Sequence, residues 1–209
     1  GRYLAIVHAA IYDAVNGIDH KYAPYFVTEW GPRGASSDAA AAQAAYTTLV
    51  SFFPAQTATL DAQLAASLAE LPPGYARSKA VTLGRAWGEH VAQLILAWRA
   101  TDGFTNQLPG YFGGGAPGVW RSPPAGASAD GTLPAIFPQN AVLVPFTMTS
   151  HDQFRPGPPP ALTSALYTAD LNEVKAIGRF DSAIRTPEQT QLALLWQATG
   201  QVQENHAIR

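Results

Sequence analysis

Apolar residues recur at steps of three and four along much of the chain and almost nowhere alternate with polar ones, so the pattern predicts helices rather than strands. Leu4, Val7, His8, Ile11, Val15 and Ile18 put one stripe on a helix over residues 2–18, which Gly17, Asp19 and His20 then stop. An alanine-rich helix follows, with Ser36, Ser37 and Asp38 as N-cap candidates and Pro54 ending it after Phe53. Residues 55–71 carry Leu60, Leu64, Leu68 and Leu71 on one face, up to the breaker Pro72-Pro73-Gly74. The period is clearest over 77–101, through Ala80, Gly84, Trp87, Val91, Leu94, Ile95 and Trp98. Gly84 and Gly88 lie one turn apart; they either let another helix approach closely or are simply tolerated glycines.

The pattern then breaks. Residues 103–160 hold eleven of the seventeen prolines and nine of the eighteen glycines, with only Arg121, Asp130, Asp152 and Arg155 charged. Phe104, Tyr111, Phe112, Trp120, Phe137, Phe146 and Phe154 supply more apolar surface than a disordered linker carries, so an ordered excursion over the helices is expected. Helicity resumes after Thr163-Ser164 and runs to Gly178. Thr186-Pro187-Glu188-Gln189 reads as a further start, with Thr at the N-cap, Pro at N1 and Gln completing a capping box; Leu192, Leu195 and Trp196 are its expected buried side. The expected organisation is therefore all-α: a helical bundle over 1–102, a Gly/Pro-rich ordered excursion packed on the helices over 103–162, and further helices over 163–209.

Composition narrows the functional classes. Of 209 residues 47% are hydrophobic and only 13% charged, about half the usual share, so part of the surface is expected to be covered. Thirteen Lys and Arg against fifteen Asp and Glu give a net charge of -2, which lacks the basic stripe that nucleic acid or an anionic membrane demands. Cysteine is absent, excluding disulfides, thiolate metal sites and a cysteine nucleophile. No apolar run approaches the roughly 20 residues that span a bilayer. The chain opens on Gly1-Arg2-Tyr3-Leu4 and stops at Ala207-Ile208-Arg209 without a breaker or polar tail. The expectation is a start from which any export signal has been removed, and an end cut short.

The residues that could carry chemistry are sparse. His8, His20, His90, His151 and His206 show no compact ligand spacing. His8 shares the first apolar stripe and is expected to be a hydrogen-bonded core histidine, with Asp13 on another face. Glu89 and His90 are helix neighbours that cannot face each other, and read as a solvated edge. His151-Asp152 resembles the dipeptide of metal phosphohydrolases without the other ligands of that pattern. No Gly-x-Ser-x-Gly elbow occurs, and Gly113-Gly114-Gly115 opens no phosphate loop. Pro156-Gly157-Pro158-Pro159-Pro160 satisfies a bare Pro-x-x-Pro, or stiffens the approach to the next helix. Whether Arg121, Arg155, Arg179 and Arg185 converge on an oxyanion is not legible from sequence.

Several strings in order resemble one group: His8-Ala9-Ala10-Ile11-Tyr12-Asp13-Ala14-Val15-Asn16, Arg99-Ala100-Thr101-Asp102-Gly103, Gly118-Val119-Trp120-Arg121-Ser122-Pro123-Pro124, and Gln153-Phe154-Arg155-Pro156 running into Pro159-Pro160-Ala161-Leu162-Thr163-Ser164. Asn172-Glu173-Val174-Lys175 with Gly178, and Arg185-Thr186-Pro187-Glu188-Gln189-Thr190, complete the set. The group is the bacterial relatives of vanadium-dependent chloroperoxidase, within the type 2 phosphatidic acid phosphatase superfamily. The resemblance implies a helical enzyme of two bundles whose site binds phosphate or vanadate. Its signature is Lys-x6-Arg-Pro, Pro-Ser-Gly-His and Ser-Arg-x5-His-x3-Asp, in which Lys and two Arg neutralise the oxyanion, one His attacks phosphorus or ligates vanadium, and the other is the acid–base.

The chain departs from that signature. Its only Arg-Pro is Arg155-Pro156, with Met148 where the Lys would stand, and neither Gly-His nor Ser-Arg occurs. The resemblance thus implies the N-terminal half of such an enzyme, with no catalytic residue here and with vanadate or phosphate held by a C-terminal catalytic half. Trp120, Arg121, Phe154 and Arg155 are candidate pocket-lining or inter-bundle residues, because aromatic and Arg side chains favour desolvated interfaces. The expected partners are that catalytic half and a second copy in a homo-oligomer. The alternative is a self-sufficient, non-enzymatic helical binding or scaffolding module.

Overall fold

The computed structural model describes residues 1–72, 78–120, 134–135 and 137–197. Among these are six α-helices: α1 (Arg2–Asp19), α2 (Ser37–Phe52), α3 (Thr57–Ala69), α4 (Lys79–Arg99), α5 (Ala165–Gly178) and α6 (Pro187–Gln197). Short 3-10 turns occupy Pro54–Gln56 and Pro138–Ala141, and no sheet forms among the described residues, so the fold is all-α. No helix among the described residues is long and apolar enough to cross a membrane.

The helix starts follow local chemistry. Ser36 accepts the Ala39 N–H at 3.2 Å, Ser78 the Val81 N–H at 3.4 Å, and Ser164 the Tyr167 N–H at 3.1 Å, each satisfying an amide the helix cannot. At α6 the capping box closes reciprocally: the Gln189 N–H donates to Thr186 Oγ1 at 3.2 Å, and the Thr186 N–H to Gln189 Oε1 at 2.9 Å.

The chain divides into two compact units, one of Gly1–Leu108 with Gln139–Phe146, the other of Pro109–Pro138 with Thr147–Arg209. The first holds the buried core: Ile6, Ala10 and Ala14 of α1, Ala40 and Ala44 of α2, Trp87, Val91, Ala92 and Ile95 of α4, and Val27 of the segment after α1. Fully burying a side chain such as Ile95 stabilises by about 1.5–3 kcal/mol. Gly84 and Gly88 settle their two readings in favour of close approach. A Cβ on Gly84 would overlap the Ser36 carbonyl oxygen and one on Gly88 the Ala40 carbonyl oxygen, so α2 lies against bare α4 backbone.

The first helix corrects the expected stripe. Its buried residues are Ile6, Val7, Ala10, Asp13, Ala14, Asn16 and Gly17, while His8 and Leu4 are exposed. His8 is therefore not a core histidine. The buried face runs instead through Ile6, Ala10, Asp13, Ala14 and Gly17, where the small residues admit neighbours closely: a Cβ on Gly17 would press into the Trp87 ring of α4.

Among the described residues of the second unit, no other helix packs extensively along α5 or α6. Leu192, Leu195 and Trp196, expected to be buried, are exposed, Trp196 at 73%. Phe180, between the two helices, is 99% exposed, and Leu166, Leu171, Val174 and Ile184 are open as well.

Candidate functional site

Of the residues singled out from sequence, Trp120 is 42% exposed and meets Tyr111 in a tilted ring contact at 5.7 Å. Phe154 is 75% exposed; Arg155 is also exposed, its backbone N–H donating to the Asp152 carbonyl at 3.0 Å. Arg121 lies outside the described residues. No hydrogen bond, ion pair or ring contact joins Trp120 to Phe154 or Arg155 among the described residues.

A phosphate or vanadate needs several free cationic donors aimed at one point. Of the arginines whose convergence the sequence left open, Arg121 lies outside the described residues, and Arg179 and Arg185 are already engaged. Arg179 forms a two-pronged, exposed ion pair with Asp181 at 2.6 and 2.9 Å. Arg185 gives its N–H groups to the carbonyls of Ile177, Arg179 and Phe180 and to the Thr190 hydroxyl, at 2.9–3.3 Å. Its guanidinium caps the end of α5, where carbonyls lack helical partners, and reaches the Thr190 hydroxyl in the first turn of α6.

The histidines are dispersed. His20 adopts the left-handed conformation that caps α1 and its Nε2 meets the Gly17 carbonyl oxygen at 2.7 Å. His90 pairs with Glu29 at 2.8 Å on the surface. Asp152 sits in an exposed turn, its carboxyl held below the usual range first by the Ser150 hydroxyl and then by its own backbone N–H. No group of three or more His, Cys, Asp or Glu could hold a metal ion among the described residues.

A dense polar cluster joins Arg2, Arg99 and Asp102, in the first unit. Asp102 Oδ2 accepts Arg2 Nε at 2.7 Å, Arg99 Nε at 3.0 Å and Arg99 Nη2 at 2.8 Å, while Oδ1 accepts the Phe104 N–H at 3.0 Å. The side chains of Arg99 and Asp102 are only 1% and 2% exposed. Arg99 also donates to the carbonyls of Val144 and Pro145, at 2.6 and 3.4 Å, and stacks against the rings of Phe146 and Trp98. It thereby fixes the returning segment 139–146 to the end of α4. Burial alone would raise the Asp102 pKa; the Arg2 hydrogen bond, the Phe104 N–H and the two cationic charges outweigh it and hold the carboxyl below its usual range. The signal available in sequence was the Arg99–Asp102 spacing of three at a helix end. Arg2, a hundred residues away, gave none.

A second structured region lies along the exposed side of α1. Asp13 accepts the backbone N–H groups of Tyr25, Phe26 and Val27 at 2.7–2.8 Å, and Asn16 exchanges two hydrogen bonds with the main chain of Tyr22. These bonds fold residues 20–27 back beside the helix. The resulting groove, about 460 Å³, is lined by Ile11, Tyr12, Val15 and Tyr22, with His8 and Lys21 among its polar groups.

No family model matches the chain, and no curated protein or solved structure is significantly similar to it.

Proposed function

We propose that this chain is the N-terminal, structural portion of a vanadium haloperoxidase-like or acid-phosphatase-like enzyme, whose oxyanion site is supplied by a C-terminal half. The proposal rests on the ordered strings from His8-Ala9-Ala10 to Arg185-Thr186-Pro187. The observation that carries it beyond those strings is the run of large apolar side chains left open on and around α5 and α6, from Leu166 through Phe180 to Trp196. Such a surface is more than scattered apolar residues explain, and suits a face made to be covered. The rival reading, a self-sufficient helical binding or scaffolding module, draws support from the closed core of the first unit and would have a partner cover that surface.

The test compares this chain with a longer one carrying Lys-x6-Arg-Pro, Pro-Ser-Gly-His and Ser-Arg-x5-His-x3-Asp. Phosphate-ester hydrolysis and vanadate-dependent halide oxidation are assayed in both. The expected result is no turnover by the 209-residue chain and one of the two activities in the longer protein. Robust activity of the short chain would sink the proposal; a soluble monomer with α6 protected from hydrogen exchange would favour the binding module.

A further inference from the structure

Helix α1 buries one side in the core, yet its opposite side is not that of a solvated helix. Leu4, His8, Ile11 and Val15 follow one another there at steps of four, three and four, the spacing of a seam between two helices. Leu4 is 48% exposed and Tyr12, beside the row, 40%. No charge interrupts the row: Arg2 is engaged with Asp102, Asp13 with three backbone amides, and the next charged residue is Asp19, in the last turn. A surface helix carries charged and polar residues on its outer face, and one that is apolar on both sides is normally buried. The groove of about 460 Å³ lies along the row from His8 onward, while Leu4 projects one turn before it.

We propose that this face pairs with the same face of a second copy of the chain, the two α1 helices running antiparallel about a two-fold axis. Leu4 and Val15 lie equally far from the midpoint of the row, between Ala9 and Ala10, and so do His8 and Ile11. Turned end for end, each Leu4 meets Val15 of the other copy and enters the groove that copy presents, and each His8 meets Ile11. The contact is isologous and uses both knobs and both grooves. Parallel helices would set Leu4 against Leu4 and leave the grooves unfilled. Charge selects the same direction: Asp19 and Lys21 fall at opposite ends of an antiparallel pair, whereas a parallel pair brings each beside its like. This inference is independent of the enzyme reading above, which concerns the surface of α5 and α6.

Sedimentation equilibrium of the 209-residue chain reads the association, and introduced cysteines read its geometry, since the chain has none of its own. A concentration-dependent dimer is expected, weakened at least tenfold by His8→Glu, a change at an exposed position that sets two carboxylates in the seam. Under oxidation His8→Cys should cross-link to itself across the axis. Leu4→Cys alone should not, because its two copies stand about 16 Å apart along the helices, but mixed with Val15→Cys it should. A monomer at every concentration, a dimer indifferent to His8→Glu, or cross-linking through Leu4→Cys alone would overturn the proposal. So would a longer, monomeric chain in which α1 gains protection from hydrogen exchange, which would assign the face to the C-terminal half.

Discussion

The two units of this chain solve the problem of helix stability in opposite ways. In the first, the helices are joined through small residues: Ala10, Ala14, Ala40, Ala44, Gly84 and Gly88 let backbones approach until a single added methyl would collide with a carbonyl. In the second, α5 and α6 have 14 and 11 residues, lengths at which an isolated helix is marginal, and their large apolar side chains lie open. What holds them is local: the Ser164 cap, the Thr186–Gln189 box and the Arg185 guanidinium on the carbonyls between them. In this protein large apolar side chains are buried only where small ones let the helices close around them, as Ile6, Trp87, Val91 and Ile95 are beside Ala10, Ala14, Ala40 and Ala44.

Substitutions can break that contrast, and the largest effect is expected at the buried charges. Asp102→Ala leaves Arg99 uncompensated in a dry site and should cost about 3–5 kcal/mol, read from the denaturant midpoint of the first unit. The same carboxylate sets a pH dependence. Because its folded pKa is depressed, its contribution is complete above the unfolded value near 3.9 and is lost as pH falls through the folded value. Unfolding midpoints should therefore decline below about pH 4, and Asp102→Asn should flatten that decline. Gly88→Ala, pressing a methyl into the Ala40 carbonyl, should cost about 1–3 kcal/mol; an unchanged midpoint would show that α2 can move away. Thr186→Ala should cost about 1 kcal/mol, visible as faster amide exchange confined to α6. Phe180→Ser should change the stability of this chain by no more than about 0.5 kcal/mol, since its ring touches almost nothing. A large loss there would mean that the second unit is packed after all.

The helices themselves were legible because caps and breakers are local: Ser36, Pro54, Ser164, Gly178 and Thr186 stand within a residue or two of the observed ends. Facing was less legible. Hydropathy weights Leu4, Ile11 and Val15 above Ala10 and Ala14, yet the alanines are buried, because close approach rewards small volume and not apolar area. The candidate residues Trp120, Phe154 and Arg155 are exposed, with nothing in the chain's own pattern to say what they meet. Of the Arg2–Asp102–Arg99 cluster only the Arg99–Asp102 pair has a local spacing; Arg2 stands a hundred residues away and nothing in the pattern joins it to them. Asp13 was placed on a separate face of α1, but its role of gathering three backbone amides depends on a loop conformation that no periodicity encodes.

The returning segment 139–146 gives the chain an order of events during synthesis. Arg99 finds its carbonyl partners 45 and 46 residues downstream, beyond most of the Gly/Pro-rich stretch. At about 5–20 residues per second, α1, α2 and α4 wait several seconds for Val144 to appear. Through that interval the guanidinium has Asp102 but lacks the two carbonyls, and Trp98 lacks the Phe146 ring set against it. The first unit is thus the first to begin, but it can close only after residues 109–138 of the second have been made. A nick anywhere in residues 109–138 would turn its last step from a loop closure into the meeting of two separate chains.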